Sequence, residues 1–367
     1  MEDLQDYGTM ERAMMVRAAQ RGEPINGSME LLPLCNMNCD MCYVRLTRAE
    51  MEARGRMRSG AEWLALGTEM ARMGTLFLLL TGGEPLLHPD FREIYLGLKK
   101  LGMILTVNTN ATLIDEEWAD FFGKNKPRRI NITLYGADNR AYETLCHHPG
   151  GFDRVVNAVK LLRDRGVDVR LGISVTPHNR ADLDRVYRIA AELDVPLNVD
   201  RYMMPAIRER EKPFCEQNRL LPEEAAAVRL QERHAELDAE TFSQYRAMVL
   251  DTVDSYTPGE EKPCAGTCLA GKCSFAINWQ GLLRPCVITT EPAAPVFELG
   301  FAAAWRQVSG EFSALRYCSA CSVCALRPLC PVCPVACKIE TGDYMGRPEY
   351  LCRYAAETLR LLREEEE

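Results

Sequence analysis

The sequence predicts an α/β protein: a parallel sheet, open or rolled into a partial barrel, with a small cysteine-rich region after it. Two observations predict this. Between Ser28 and Asp251 short β-rich runs alternate with longer helical ones in six strand-then-helix units, and such units build right-handed parallel connections. Beyond Asp251 that alternation stops, and eleven of the 16 cysteines lie in residues 264–352. A closed eight-fold barrel would need two further units.

Taken in order, residues 1–27 are a helical segment, helical over 7–20 and stopped by Arg21-Gly22-Glu23-Pro24. Strands are predicted at 29–34, 76–80, 104–107, 129–134, 169–175 and 197–201, and helices at 61–73, 90–101, 116–122, 153–164, 180–193 and 222–251. These place a barrel at 28–210 and a connecting helix and linker at 211–262, the linker being Ser255-Tyr256-Thr257-Pro258-Gly259 and the residues after it. The cysteine-rich region follows at 263–355. Residues 356–367, ending in Glu364 to Glu367, read as a solvated acidic tail.

Composition narrows the function classes. With 47% hydrophobic and 26% charged residues the 367-residue chain has the balance of a globular protein. Its 44 basic and 52 acidic residues leave a net charge of −8, which argues against nucleic acid as a partner. The longest central apolar run, residues 76–80, is far short of the ~18 residues of a membrane span. Glu2, Asp3 and Asp6 at the start exclude a secretory signal, so a cytoplasmic location is expected and the cysteines are read as metal ligands rather than disulfides.

Cys35, Cys39 and Cys42 form a C-x3-C-x2-C run directly after the first predicted strand, with Tyr43 next. Three such thiolates can hold three irons of a 4Fe-4S cluster and leave the fourth iron open. The alternative is a zinc site completed by a distant ligand. At the end of the second strand stands Thr81-Gly82-Gly83-Glu84-Pro85, whose glycines let the backbone approach a ligand and whose carboxylate suits an ammonium.

On these two segments the chain resembles the radical S-adenosylmethionine (SAM) superfamily. The resemblance implies a partial (β/α)6 TIM-like barrel in which Cys35, Cys39 and Cys42 carry the catalytic cluster and Gly82, Gly83, Glu84 and Pro85 bind the methionyl amino group of SAM. It extends to Asn108 after the third strand, Thr133 on the fourth and Ser174 on the fifth, as contacts to the ribose and carboxylate. The family more often has Ser where this chain has Thr133 and Asp where it has Tyr135. For each of these polar residues, capping a strand or helix is the competing role.

The C-terminal region resembles the SPASM extension, the iron-sulfur domain of many radical SAM enzymes that modify peptides. The matching run is Cys268-x4-Cys273, then Gly281-x4-Cys286, then Cys321-x2-Cys324-x5-Cys330-x2-Cys333 and Cys352. Position by position it implies one auxiliary cluster on Cys268, Cys273, Cys286 and Cys333 and another on Cys321, Cys324, Cys330 and Cys352. Cys337 is a rival to Cys333, and Cys264, Cys318 and Cys337 are left over. Gly266-x4-Gly271-Lys272-Cys273 imitates a phosphate loop but ends in Cys, with no hydroxyl for magnesium. Cys146 and Cys215 read as ordinary thiols, and His147-His148 as a loop pair.

The resemblance implies reductive cleavage of SAM to a 5'-deoxyadenosyl radical that abstracts hydrogen from a substrate. A peptide is the leading substrate, with a small-molecule oxidoreductase or a non-enzymatic electron-transfer protein as alternatives. Sulfatase-maturing members have Asp after the Cys matching Cys286; Val287 here argues against that activity. A flavodoxin- or ferredoxin-type donor is expected. Only 34 residues precede Cys35, so any leader-peptide binding is expected from a separate protein. Arg201, Met203 and Met204, after the sixth strand, are expected to line the substrate mouth.

Overall fold

Six parallel strands lie side by side in chain order in the computed structural model, which describes residues 8–205, 208, 218–265 and 268–365. They are β1 (Asn26–Glu30), β2 (Phe77–Thr81), β3 (Ile104–Thr109), β4 (Arg129–Thr133), β5 (Val169–Ser174) and β6 (Leu197–Asp200). Each pairs in parallel with the next. Later in the chain come β7 (Cys264–Ala265), β8 (Ser274–Ile277), β9 (Leu282–Arg284), β10 (Ala294–Pro295) and β11 (Arg316–Tyr317). This is the expected parallel α/β architecture with one addition. β8 pairs in parallel with β1, setting Asn26 opposite Ser274 and Met29 opposite Ile277, and the sheet runs β10-β9-β8-β1-β2-β3-β4-β5-β6. The cysteine-rich region therefore shares a sheet with the barrel, while β7 and β11 form a separate antiparallel pair.

Alternation gives the strands an apolar helix-facing side, with Leu105 and Val107 of β3, Ile130 and Ile132 of β4, and Val169, Leu171 and Ile173 of β5 all buried. Side chains such as Trp63, Leu66 and Met70 on the helix Gly60–Arg72 and Val155, Val159 and Leu162 on Gly151–Asp164 cover the outside. Caps start two of the helices: Ser59 accepts from the Glu62 amide ahead of Gly60–Arg72, and Asp115 from the Trp118 amide ahead of the helix Glu116–Lys124.

Several element boundaries differ from expectation. β1 begins and ends earlier than residues 29–34, because its ladder closes at Glu30 opposite Thr81 and Pro33 has no amide to continue it. The helix expected at 222–251 is two, Pro222–Glu236 and Ala239–Asp254, since Asp238 accepts from the Thr241 amide at 2.8 Å and caps a new start. The helix expected at 180–193 begins with a 3-10 turn and runs Leu183–Glu192. Residues 356–364, expected as an acidic tail, belong to the helix Glu349–Glu364, with Thr358 and Leu362 fully buried. Cys215 and Gly266 lie outside the described residues. Among the described residues no helix is long and apolar enough to cross a membrane.

Candidate active site

Parallel strands place their C-terminal ends on one rim, and that is where such folds bind ligands. Here the rim encloses a cavity of about 570 Å³. Its wall contains Cys35, Cys39, Cys42 and Tyr43 from the loop after β1, Gly82 and Gly83 after β2, Asn108 of β3, Thr133 of β4 and Ser174 of β5. These are the residues expected from sequence, brought together from five successive strand ends.

The cysteine loop is held by its backbone. The Leu46 amide donates to the Pro33 carbonyl, and the Asn38 and Asp40 amides donate to the carbonyls of Cys146 and Leu145, each at 3.0 Å. Asp40 also meets His147 Nε2 at 2.7 Å. The last three of these partners sit at the end of the helix Asn139–Leu145, which the sequence reading missed although Asp138 is its cap. Backbone donors face the thiols of Cys35 and Cys42, the Met37 amide at 3.4 Å and the Arg45 amide at 3.3 Å. Cys146 and Tyr135 neighbour Cys39. Burial, with Glu84 nearby, pushes the Cys35 thiol up to about 12, whereas Cys146 leads in holding Cys39 below its ordinary value.

Gly82 and Gly83 are required by close approach. Gly82 adopts φ +144°, and a Cβ there would stand 2.4 Å from the Leu32 carbonyl oxygen; one on Gly83 would stand 2.3 Å from that of Leu34. Both contacts are backbone, so no side-chain rotation relieves them. The turn is thus pressed against the strand that leads into the cysteine loop.

Glu84 and Pro85 are placed differently from expectation. Glu84 is wholly buried and does not line the cavity. Its carboxylate accepts from the Leu86 amide at 3.1 Å, the Thr109 hydroxyl at 2.8 Å and the Asn110 amide at 2.8 Å. It ties the loop after β2 to the end of β3 beneath the site. Pro85, also buried, opens the following 3-10 turn. Asn110 continues the tie, donating to Asn36 Oδ1 at 2.9 Å. Ala111, next in the chain, takes φ +59°, a conformation non-glycine residues adopt only under constraint.

Burial lifts Glu84 to about 7, outweighing the three donors that pull it down. A carboxyl raised in this way takes up a proton on folding, so its contribution to stability is present below its ordinary 4.5 and lost as pH rises through about 7. Glu84→Gln is expected to flatten the stability profile of the metal-free chain across that window by up to roughly 3 kcal/mol. Urea unfolding over a pH series checks it, and an unchanged slope would contradict it.

The wall also includes Asp200, Tyr202, Met203, Met204, Arg208 and Ile288. Part of it comes from the segment expected there after β6, while Arg208 and Ile288 had no signal in the sequence. Arg208 donates to both oxygens of Glu30, at 2.7 and 2.6 Å, and to the Val287 carbonyl at 2.7 Å, 5.2 Å over the Tyr43 ring. Met203 and Met204 line the cavity as expected, but Arg201 does not. Its guanidinium donates to Glu232 Oε2 at 2.5 Å and to the Tyr354 hydroxyl at 3.0 Å.

A second cavity, about 310 Å³, is lined by Cys321, Cys324, Cys330 and Cys352, and Arg347 Nε donates to Cys352 Sγ at 3.3 Å. Cys333 caps the helix Pro334–Thr341 and lies near Cys286 and Cys268. Cys337 instead packs with Cys318, beside Cys264. Cys273 is buried against Met15, Ala18 and Phe77 while remaining near Cys268. Among the described residues no three His, Cys, Asp or Glu side chains stand as the ligands of one metal ion. The donor set of the first cavity, three thiols of one loop beside open space, fits a group that takes three thiolates and leaves one face free.

A model of the Radical SAM superfamily matches residues 29–190. The AdoMet-dependent heme synthase of Methanosarcina barkeri is 26% identical over 164 residues, 45% of this chain and 46% of that enzyme, so the chain aligns with less than half of that curated relative. The PqqA peptide cyclase of Gluconobacter oxydans is 26% identical over 266 residues, 72% of this chain and 70% of that one. In structure, Streptococcus suis SuiB bound to precursor peptide SuiA superposes with a TM-score of 0.67 at 16% identity, covering 94% of this chain and 80% of that one, a shared fold. The matched residues contain the cysteine loop, the Gly82-Gly83 turn and the strand ends around the cavity. Over residues 29–190 this chain therefore matches the Radical SAM superfamily.

Proposed function

We propose that the chain is a radical SAM enzyme that modifies a peptide. A radical SAM domain implies a 4Fe-4S cluster and SAM, and the reading rests on one observation: a single cavity gathers the three thiols with Gly82, Gly83, Asn108, Thr133 and Ser174. Cys35, Cys39 and Cys42 would hold the cluster. When bound, that group and SAM supply a 5'-deoxyadenosyl radical, formed by one-electron cleavage, that abstracts hydrogen from the substrate. The chain's own residues do the positioning. Gly82 and Gly83 let the backbone reach the ligand, Asn108, Thr133 and Ser174 offer polar groups at the rim, and Met203, Met204 and Ile288 keep water from the wall opposite.

In the C-terminal region Cys321, Cys324, Cys330 and Cys352 would hold one auxiliary cluster and Cys268, Cys273, Cys286 and Cys333 the other. The peptide is supported by the peptide cyclase relative and by the peptide-bound structural neighbour. Similarity to a heme synthase favours a second reading, an oxidoreductase acting on a small molecule. We assign the chain to the cytoplasm, with a flavodoxin- or ferredoxin-type electron donor and, for a leader-bearing peptide, a separate binding protein.

Anaerobic reconstitution is expected to give about 12 iron per chain, and reduction with SAM present to release 5'-deoxyadenosine. About four iron with tightly bound zinc would overturn the C-terminal assignment. A mass shift on small peptides encoded beside the gene supports the peptide; turnover of a small molecule alone supports the second reading.

A further inference from the structure

We propose that Arg208 is a positioning residue that fixes the loop carrying Cys286 against the cysteine loop of the rim, and so sets the spacing between the two groups those loops would hold. The inference rests on the cluster assignment above. Stretches of chain far apart in sequence meet at this one guanidinium. It donates to both oxygens of Glu30, at 2.7 and 2.6 Å, and to the Val287 carbonyl at 2.7 Å, and it lies 5.2 Å over the Tyr43 ring. Glu30 ends the strand that leads into the cysteine loop, Tyr43 follows the last thiol of that loop, and Val287 follows Cys286.

The sheet itself does not settle where Cys286 stands. The β8–β9 ladder sets Ala276 opposite Arg284, where β9 ends, and Pro285 has no amide to extend it. Further on, the Thr289 hydroxyl donates to the Glu291 carbonyl at 2.6 Å, a local turn. Glu291 is tied to the C-terminal region: its carbonyl accepts from the Tyr344 hydroxyl at 3.1 Å, and its carboxylate stands 3.3 Å from Lys338 Nζ. The bond from Arg208 joins the residues in between to the barrel instead. Ile288, next after Val287, belongs to the cavity wall, so the place at which the Val287 carbonyl is held decides where that apolar part of the wall stands.

Position, more than stability, is what this pair supplies. The side chains of Arg208 and Glu30 are 1% and 3% exposed. Taking two charges out of water costs about as much as their attraction returns, so a buried pair adds little over an apolar pair of similar size. An apolar pair, however, cannot hold a carbonyl in one place, whereas a planar fork with several donors can.

Hydrogen exchange of the anaerobically reconstituted full chain, read by mass spectrometry, tests the tie. In the double variant Glu30→Met with Arg208→Met, which removes both charges together, amides of residues 286–290 are expected to exchange about tenfold faster, with the urea midpoint near the parent's. Arg208→Lys, which keeps the pair but loses the fork, is expected to return part of the protection. Parent-like exchange at 286–290 in both variants overturns the proposal. Faster exchange spread over β1 to β6, or failure of the double variant to fold, overturns it too, since either makes the pair a support of the whole barrel. In the reduced protein, the magnetic coupling between the two clusters, read by electron paramagnetic resonance, is expected to have one defined value in the parent and a spread of values in the double variant; an unchanged coupling contradicts the spacing role. A parent with no coupling at all removes the cluster assignment rather than the tie, which the exchange result then decides.

Discussion

Replacing Cys35, Cys39 and Cys42 together with Ala is expected to abolish 5'-deoxyadenosine formation, while iron after reconstitution falls only by about four of about 12 atoms. The fold should survive. The loop is held by the Leu46, Asn38 and Asp40 amides rather than by its thiols, and removal of three sulfurs leaves those bonds in place. The C-terminal set should also survive, because Cys321, Cys324, Cys330 and Cys352 line a different cavity. Product chromatography and iron analysis on the same sample read both halves of the prediction. Undiminished 5'-deoxyadenosine from the triple variant would move the chemistry away from the rim.

Glu232→Ala is expected to destabilise the protein by about 3–5 kcal/mol, the usual consequence of breaking a buried ion pair from one side. The side chains of Arg201 and Glu232 are only 12% and 7% exposed, and the pair joins the end of β6 to the helix Pro222–Glu236, with Tyr354 tying in the helix Glu349–Glu364. Glu232→Gln, which keeps an acceptor, should lose less. Urea unfolding followed by circular dichroism measures the difference; a loss under about 1 kcal/mol, as for an exposed pair, would show the pair to be dispensable. Arg201→Ala should accordingly lower SAM cleavage and substrate turnover together, through the fold.

Arg201 illustrates what could be read in advance and what could not. Its position after a strand was local information; its partner on a later helix was not. The cysteine loop and the Gly82-Gly83 turn were legible because spacing and glycine content within a few residues carry their chemistry. Asn108, Thr133 and Ser174 were expected only through the family resemblance; that parallel strands end on one rim accounts for their meeting there. Glu84 was legible as a motif residue, yet its burial under Thr109 and Asn110 depends on how two loops stack. Cys146 gave no signal at all, since a lone cysteine after an unnoticed helix looks like any buried thiol; only the docking of that helix against the cysteine loop brings it to Cys39. In the C-terminal region the x2 spacing of Cys330 and Cys333 left Cys337 open as a rival; Cys333 has Cys286 and Cys268 as neighbours, Cys337 has Cys318 and Cys333.

β1 lies between β2 and β8, pairing in parallel with both. During synthesis, then, the strand that leads into the cysteine loop is made early but gains its second neighbour only when Ile277 has left the ribosome. Until that moment a nascent barrel offers an open parallel edge, the kind of surface that recruits other chains. Newly made protein should therefore depend on chaperones most strongly in the interval before β8 emerges, and a ribosome stalled inside the Ser255-to-Pro263 stretch would hold a nearly finished barrel in its stickiest form.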